Sequence, residues 1–367
     1  MARDHRTDKR DKRIHLSGLT SIHRRKPRRH AGGRRAKRAE IWRYRTPSRT
    51  PPAKVIGPPA LVRDHLIIGM QRASTTGEIL ALNQATGHPA WTHEVDQPVL
   101  DLCRHDDRVL FITSGAVSAL DALRGSLSWA TPARDPEYVV STGSMAILTS
   151  HRRDANEPGQ RLSVLRGDDG REIWAEDLPR SAGLETLVAG ESLLAASLEL
   201  APDGTDQTEL ANFRLSDGTK TWRRTIPSTA TWIHASRSVV VIADLTRAQG
   251  LDPATGQTIW TLPQRMEGRP GCWLVDDVLV VSCTHRNAQL QFDTLGVIPQ
   301  TGEVVWKRPL TDWLDRGVSA ADMLYATTSN RVIAINSAGI QLWTANVPPD
   351  ATLTLGRIPA WPRLCLD

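Results

Sequence analysis

Phenylalanine and tyrosine are scarce in this 367-residue sequence, with three of each. Aromatic packing must therefore rest on its 12 tryptophans. Four cysteines, Cys103, Cys272, Cys283 and Cys365, form no Cys-x-x-Cys pair, and no histidine lies at metal-ligand spacing from them. That pattern argues against a zinc ribbon or a disulfide framework, and the four read as small buried apolar residues. Cys272 and Cys283 flank an expected hairpin turn at Asp276-Asp277, which places Cys272 opposite Val281. No run approaches the roughly 18 apolar residues of a membrane-spanning helix. The first residues also lack the apolar stretch of roughly 7–15 residues that marks a secretory signal. The paired arginines between His23 and Arg29 precede no apolar run, so a twin-arginine signal is not expected either. The chain is expected in the cytoplasm, or exported if its start is displaced.

The formal net charge of +6 is unevenly distributed. Residues 1–50 are strongly basic and the remainder is mildly acidic. Residues 1–38 show neither alternation nor a helical apolar stripe, and are expected to form a disordered basic arm. Such an arm has the charge to hold nucleic acid or an anionic surface by counterion release. It has few aromatics for base stacking, only Trp42 and Tyr44 at its edge, and both are assigned to a strand. A tail without a partner is the preferred reading.

Against these absences stands a repeat. Seven glycines are each followed four residues later by tryptophan: Gly87–Trp91, Gly125–Trp129, Gly170–Trp174, Gly218–Trp222, Gly256–Trp260, Gly302–Trp306 and Gly339–Trp343. The period is about 42 residues, which marks a repeat architecture. Each unit reads as four short strands. In the fifth these are Thr231–Ser236, Ser238–Asp244, Ala248–Asp252 and Gln257–Trp260, with a tight turn at Asp252–Gly256. Second strands such as Leu66–Met70, Val109–Ile112 and Val278–Val281 are apolar on both faces, so they should lie between neighbouring sheets. Four antiparallel strands per unit, repeated radially, describe an all-β single β-propeller over residues 39–367.

The turn glycine supplies a positive φ at low cost, and the tryptophan then packs between blades. Trp42 resembles the last strand of a further blade, and Thr352–Gly356 and Arg363–Leu366 resemble its first strands. Eight blades with a composite N/C-terminal closing blade are therefore expected, with seven as the alternative.

At these residues the chain resembles the pyrroloquinoline-quinone-like propeller repeat, Ala-x-Asp-x-x-Thr-Gly-x-x-x-Trp. Gly250–Trp260 and Ala81–Trp91 match it best. Units two, three and four are read as keeping only Gly and Trp, which makes the polar turn contacts optional. Asp does not follow the tryptophans, so the WD repeat fits less well. The resemblance implies one of two classes. Quinoprotein dehydrogenases need a vicinal cysteine pair, oxygen ligands for calcium and an Asp base. None of these stands out here, so no catalytic, cofactor-binding or metal-binding residue is assigned, and neither the quinone nor calcium is expected. The other class comprises non-catalytic propellers similar to the BamB type. A non-enzymatic, monomeric scaffold binding an unknown protein or small ligand is the preferred reading.

Loops on a rigid scaffold commonly carry function. The longest links between second and third strands, and between units, contain Arg152, Arg153, Arg265, Arg286, Trp313 and Arg316. These form the candidate binding face, with Trp313 singled out because it lies outside the repeat position.

Overall fold

The computed structural model describes residues 15–17, 42–45 and 54–346, with short breaks at 72–74, 153–158, 180–183, 202, 231, 245–246, 263–270, 287–289, 313, 315, 321 and 329. Among the described residues there are strands and turns but no helix. The strands form seven four-stranded antiparallel sheets, each in sequence order. The first is Lys54–Val62, His65–Gln71, Gly77–Asn83 and Pro89–Val95. The second is Asp101–His105, Arg108–Ile112, Ala116–Asp121 and Leu127–Pro132. The third is Pro136–Thr142, Met145–Arg152, Gly159–Arg166 and Glu172–Pro179. The fourth is Leu184–Ala189, Ser192–Leu200, Asp206–Arg214 and Lys220–Ile226. The fifth is Trp232–Ala235, Val240–Ala243, Ala248–Leu251 and Thr258–Thr261, one or two residues from the expected bounds. The sixth is Gly271–Val275, Val278–Arg286, Leu290–Val297 and Val304–Leu310. The seventh is Arg316–Ala320, Met323–Thr327, Arg331–Asn336 and Gln341–Asn346.

Contacts divide the chain into two units. The first holds Met1–Arg152 with Leu162–Glu172, and the second holds Arg153–Arg161 with Ile173–Leu366. In the first, the second strand of the second sheet is buried on both faces, as its unbroken apolar run requires. Val109 and Phe111 join a core with Ile67, Ile79 and Leu102. Leu110 and Ile112 join another with Val139, Leu148 and Trp129. The second unit repeats this division. Val240 and Ile242 pack with Leu194 and Leu210, whereas Val241 and Ala243 pack with Leu279 and Val281. Cys272 pairs in register with Val281 across the hairpin at Asp276-Asp277, and both Cys272 and Cys283 are free and buried.

Three residues of the basic arm are described. His15–Ser17 pairs antiparallel with Arg43–Arg45, the strand that follows Trp42. A strand fixed at one end by a docked tryptophan offers unpaired backbone groups along its edge, and a passing segment satisfies them. The rest of the arm, and the C-terminal part of the composite blade, lie outside the described residues.

Candidate functional site

Every repeat glycine has positive φ, from 68° at Gly125 to 74° at Gly339. Its amide closes the turn by donating to the carbonyl four residues back, as from Gly87 to Asn83 at 2.8 Å and from Gly256 to Asp252 at 2.8 Å. In the seventh unit the turn is one residue shorter, and Gly339 donates to Asn336 at 2.9 Å. A register shift next to the glycine turn then sets the tryptophan opposite a small or short residue. The pairs include Ala81 with Trp91, Gly250 with Trp260 and Gly296 with Trp306. A Cβ at Gly250 would lie 2.2 Å from Trp260 Nε1, so in unit five the ring takes the room that the missing side chain leaves.

Trp42 and every repeat tryptophan but Trp343 dock not on their own glycine but on the glycine of the following unit. The rings of Trp42, Trp91 and Trp129 occupy the space a Cβ would need on Gly87, Gly125 and Gly170. In the second unit Trp174, Trp222, Trp260 and Trp306 do the same at Gly218, Gly256, Gly302 and Gly339. Each indole Nε1 also donates to a carbonyl of that next turn. Trp42 donates to Gln84 at 2.7 Å, Trp129 to Gly167 at 2.9 Å, Trp222 to Pro253 at 2.7 Å and Trp306 to Ser337 at 2.8 Å. A buried indole loses no hydrogen bond in this arrangement.

Sequence reasoning missed a third element of the seam. Two residues beyond the tryptophan, Thr131 Oγ1 donates to Gly170 O at 2.7 Å, Arg224 Nη1 to Gly256 O at 2.6 Å and Arg308 Nη1 to Gly339 O at 2.8 Å. The signal was present in the sequence as a hydrogen-bonding side chain at the second position after Trp.

Polar turn contacts persist in units two to four, which corrects the expectation that only Gly and Trp are kept there. Asn83 and Asp252 accept the amides two and three residues further on. In unit two Asp121 does the same for Leu123 and Arg124, at 3.0 and 2.8 Å. Thr86, Thr255 and Thr301 accept the amide just past the glycine. In units three and four Asp169 and Asp217 take over that role, accepting from Arg171 at 3.0 Å and Thr219 at 2.9 Å. Arg166 and Arg214 then stand where the repeat has Asp, and pair with those carboxylates at 3.5 and 3.0 Å. The two turn side chains have changed identity together, so a residue-by-residue match to the motif overlooks them.

The predicted binding residues scatter. Arg153, Arg265 and Trp313 lie outside the described residues. Arg152 ends the second strand of the third sheet and is half-buried. Arg286 and Arg316 correct the expectation of loop positions. Thr284–Arg286 continues the sixth sheet's second strand, with Arg286 opposite Leu290. Arg316 opens the seventh sheet opposite Thr327. Backbone pairing carries both strands further than their apolar runs suggest.

Two cavities stand out in the second unit. One of about 340 Å³ lies between the Leu310–Asp312 link and the turn Thr328–Arg331, closed by Gln341 and Thr344. Thr328 Oγ1 is buried there without a hydrogen-bond partner. The other, about 760 Å³, is walled by the fourth sheet at Glu191, Ser192, Asn212 and Thr221, and by fifth-sheet turns at Arg237-Ser238 and Asp252–Ala254. It opens beside hairpin turns, not beside the longer links that sequence reasoning favoured.

A quinone site would need adjacent cysteines over the cofactor and oxygen ligands for a cation. Cys272 and Cys283 sit inside an apolar core. Burial pushes the Cys283 thiol up to about 12 and raises the Cys272 thiol well above its ordinary value. Among the described residues no group of three or more His, Cys, Asp or Glu is placed to hold a metal.

Four-stranded antiparallel sheets joined by docked tryptophans define the class: an all-β propeller of four-stranded blades. Residues 34–262 match the family described as outer membrane protein assembly factor BamB, and the chain belongs to that family. The BamB of Alkalilimnicola ehrlichii is 28% identical over 136 residues, covering 36% of this chain and 35% of that protein. The BamB of Yersinia pestis is 24% identical over 262 residues, covering 63% of this chain and 61% of that protein. The chain therefore spans less than two-thirds of the length of either relative. The crystal structure of BamB from Moraxella catarrhalis superposes with a TM-score of 0.51 at 16% identity, covering 84% of this chain and 88% of that one. At that identity the likeness is one of fold. No helix among the described residues is long and apolar enough to cross a membrane.

Proposed function

We propose that the chain is a non-enzymatic docking propeller that holds other polypeptides during assembly of outer-membrane proteins, in an exported location. The observation that carries this is the family match over residues 34–262, together with the names of the curated relatives. The seams support it physically. Each one joins a docked ring to an indole hydrogen bond, so loops and turns are displayed from stiff sheets. Such a scaffold presents a surface without needing reactive groups. In this reading the cavity at Thr311, Asp312 and Arg331 serves as one docking point on the loop face.

The test is site-specific photo-cross-linking from position 331 in intact cells, followed by identification of the joined polypeptides. Reproducible cross-links to outer-membrane polypeptides are expected, with the chain recovered from the cell envelope. Recovery of the chain from the cytoplasm alone, or turnover of an alcohol with added pyrroloquinoline quinone and calcium, would overturn the proposal.

A further inference from the structure

We infer that the 760 Å³ cavity between the fourth and fifth sheets binds a short peptide segment carrying charges of both signs. The inference deepens the docking reading and rests on it. The position opposite the seam tryptophan holds Ala81, Ala119, Gly250, Gly296 or Ala334 in other units. In the fourth unit it holds Asn212, which is only 3% exposed. A polar group is costly there unless it is satisfied. Its Nδ2 donates to Thr221 Oγ1 at 2.8 Å and reaches Ser192 Oγ at 3.5 Å. Thr221 Oγ1 spends its own hydrogen on Asn212 O at 3.2 Å, so it must accept from the amide. That fixes the amide's orientation and leaves Oδ1 of this cavity-lining residue with no donor among the described residues.

Two charges complete the walls. Glu191 stands in the fourth sheet's first hairpin turn, and Arg237 in the corresponding turn of the fifth. Both are exposed, and neither forms an ion pair with the other or with any described residue. The stem of Arg237 lies over Gly190, where a Cβ would come within 3.1 Å of Arg237 Cγ and Nε. The guanidinium is thus held at the rim by packing and has no partner there. A free carboxylate, a free guanidinium and an amide oxygen with no donor match a ligand with an ammonium or guanidinium, a carboxylate and an N–H donor. Peptides carry all three. Nucleic acids offer a single sign of charge, and a lipid chain would leave both Glu191 and Arg237 unpaired. The volume falls within the range of ligand sites, about 300–1,000 Å³.

The experiment is calorimetric titration of the full chain with the tripeptide Lys-Gly-Asp. The controls are Gln-Gly-Asn capped at both ends, acetyl-lysine amide and acetyl-aspartate amide. Lys-Gly-Asp should bind, and the three controls should bind at least tenfold more weakly. Asn212→Ala restores the residue used by other units and so should fold. It should weaken Lys-Gly-Asp at least fivefold, and Arg237→Ala at least tenfold. No heat with Lys-Gly-Asp, equal binding of a singly charged control, or wild-type affinity in Asn212→Ala would overturn the inference. Cross-linking from position 331 reads the docking proposal on a different surface, so failure of the peptide site alone leaves those cross-links in place.

Discussion

Trp260 fills the space that a side chain on Gly302 would need, with its Cδ2 2.6 Å from the Cβ position, while its Nε1 donates to Pro299 O at 2.7 Å. Gly302 also has a φ of 73°. Gly302→Ala therefore meets two penalties, backbone strain and a clash with a ring fixed by its own hydrogen bond. A loss of about 2–4 kcal/mol is expected in chemical denaturation. Gly204 has a φ of 81° but open space around it. Gly204→Ala should cost only about 1 kcal/mol. Equal costs at the two positions would mean that the ring gives way and the seam is loose.

Trp343 is the odd member of the series. It is 43% exposed on the last described strand, beside the exposed Leu342, and the exposed Ile340 lies just before that strand. The eight-blade reading has residues 347–367 cover this strand. Trp343→Ala should then cost about 3 kcal/mol in the full chain, as for a buried seam tryptophan. In a chain ending at residue 346 it should cost under about 1 kcal/mol. A small cost in both backgrounds would favour seven blades.

His234 is buried and stacks on Trp232 with ring centroids 5.8 Å apart. Desolvation lowers its imidazole to about 4. Because the folded-state value lies below the unfolded one, the unfolded chain binds the extra proton. Stability is thus unaffected above about pH 6.5 and falls as pH drops from there towards 4, by on the order of 3 kcal/mol. His105 has the same sign. It is buried, its ring Nδ1 lies 2.8 Å from Ser141 Oγ, and burial is the first cause of its lowered value. Urea denaturation at pH 7, 5.5 and 4 should show the decline, and His234→Gln should flatten it. An unchanged slope in His234→Gln would place the acid sensitivity elsewhere.

Asp217 should titrate at about 2 in a carboxyl-detected NMR experiment. The Thr219 amide is the first cause, followed by the Thr219 hydroxyl and Arg214. The contribution of this turn is present above about pH 3.8 and lost as pH falls through about 2. Asp217→Thr restores the residue of units one, five and six, and should keep the melting temperature. Asp217→Ala should lower it. A normal Asp217 titration would mean that the turn is open in solution.

The legibility of the fold followed from how local its signals are. A glycine at positive φ and a tryptophan four residues on are fixed by one turn and one register shift, so Gly256–Trp260 could be read without a structure. The two-sided burial of Val109–Ile112 was equally legible, because only neighbouring sheets on both faces explain an unbroken apolar run. The candidate face was less legible. Arg286 and Arg316 were assigned to loops because polar residues interrupt the apolar pattern, yet backbone pairing continued past them. The cavity at Asn212 went unnoticed because its walls come from turns about 40 residues apart.

The sequence by itself determined the repeat, the four strands of each unit and the turn that ends in glycine, since these depend on contacts a few residues apart. Only the tertiary structure decided what each tryptophan touches. Trp222 rests on Gly256 and donates to Pro253, not on its own Gly218, because the ring points out of its sheet into the next one. The same packing decided which residues become chemistry. It turned Asn212, an unremarked polar residue in a strand, into a buried amide facing a cavity, since burial is a property of neighbours that the local sequence does not carry.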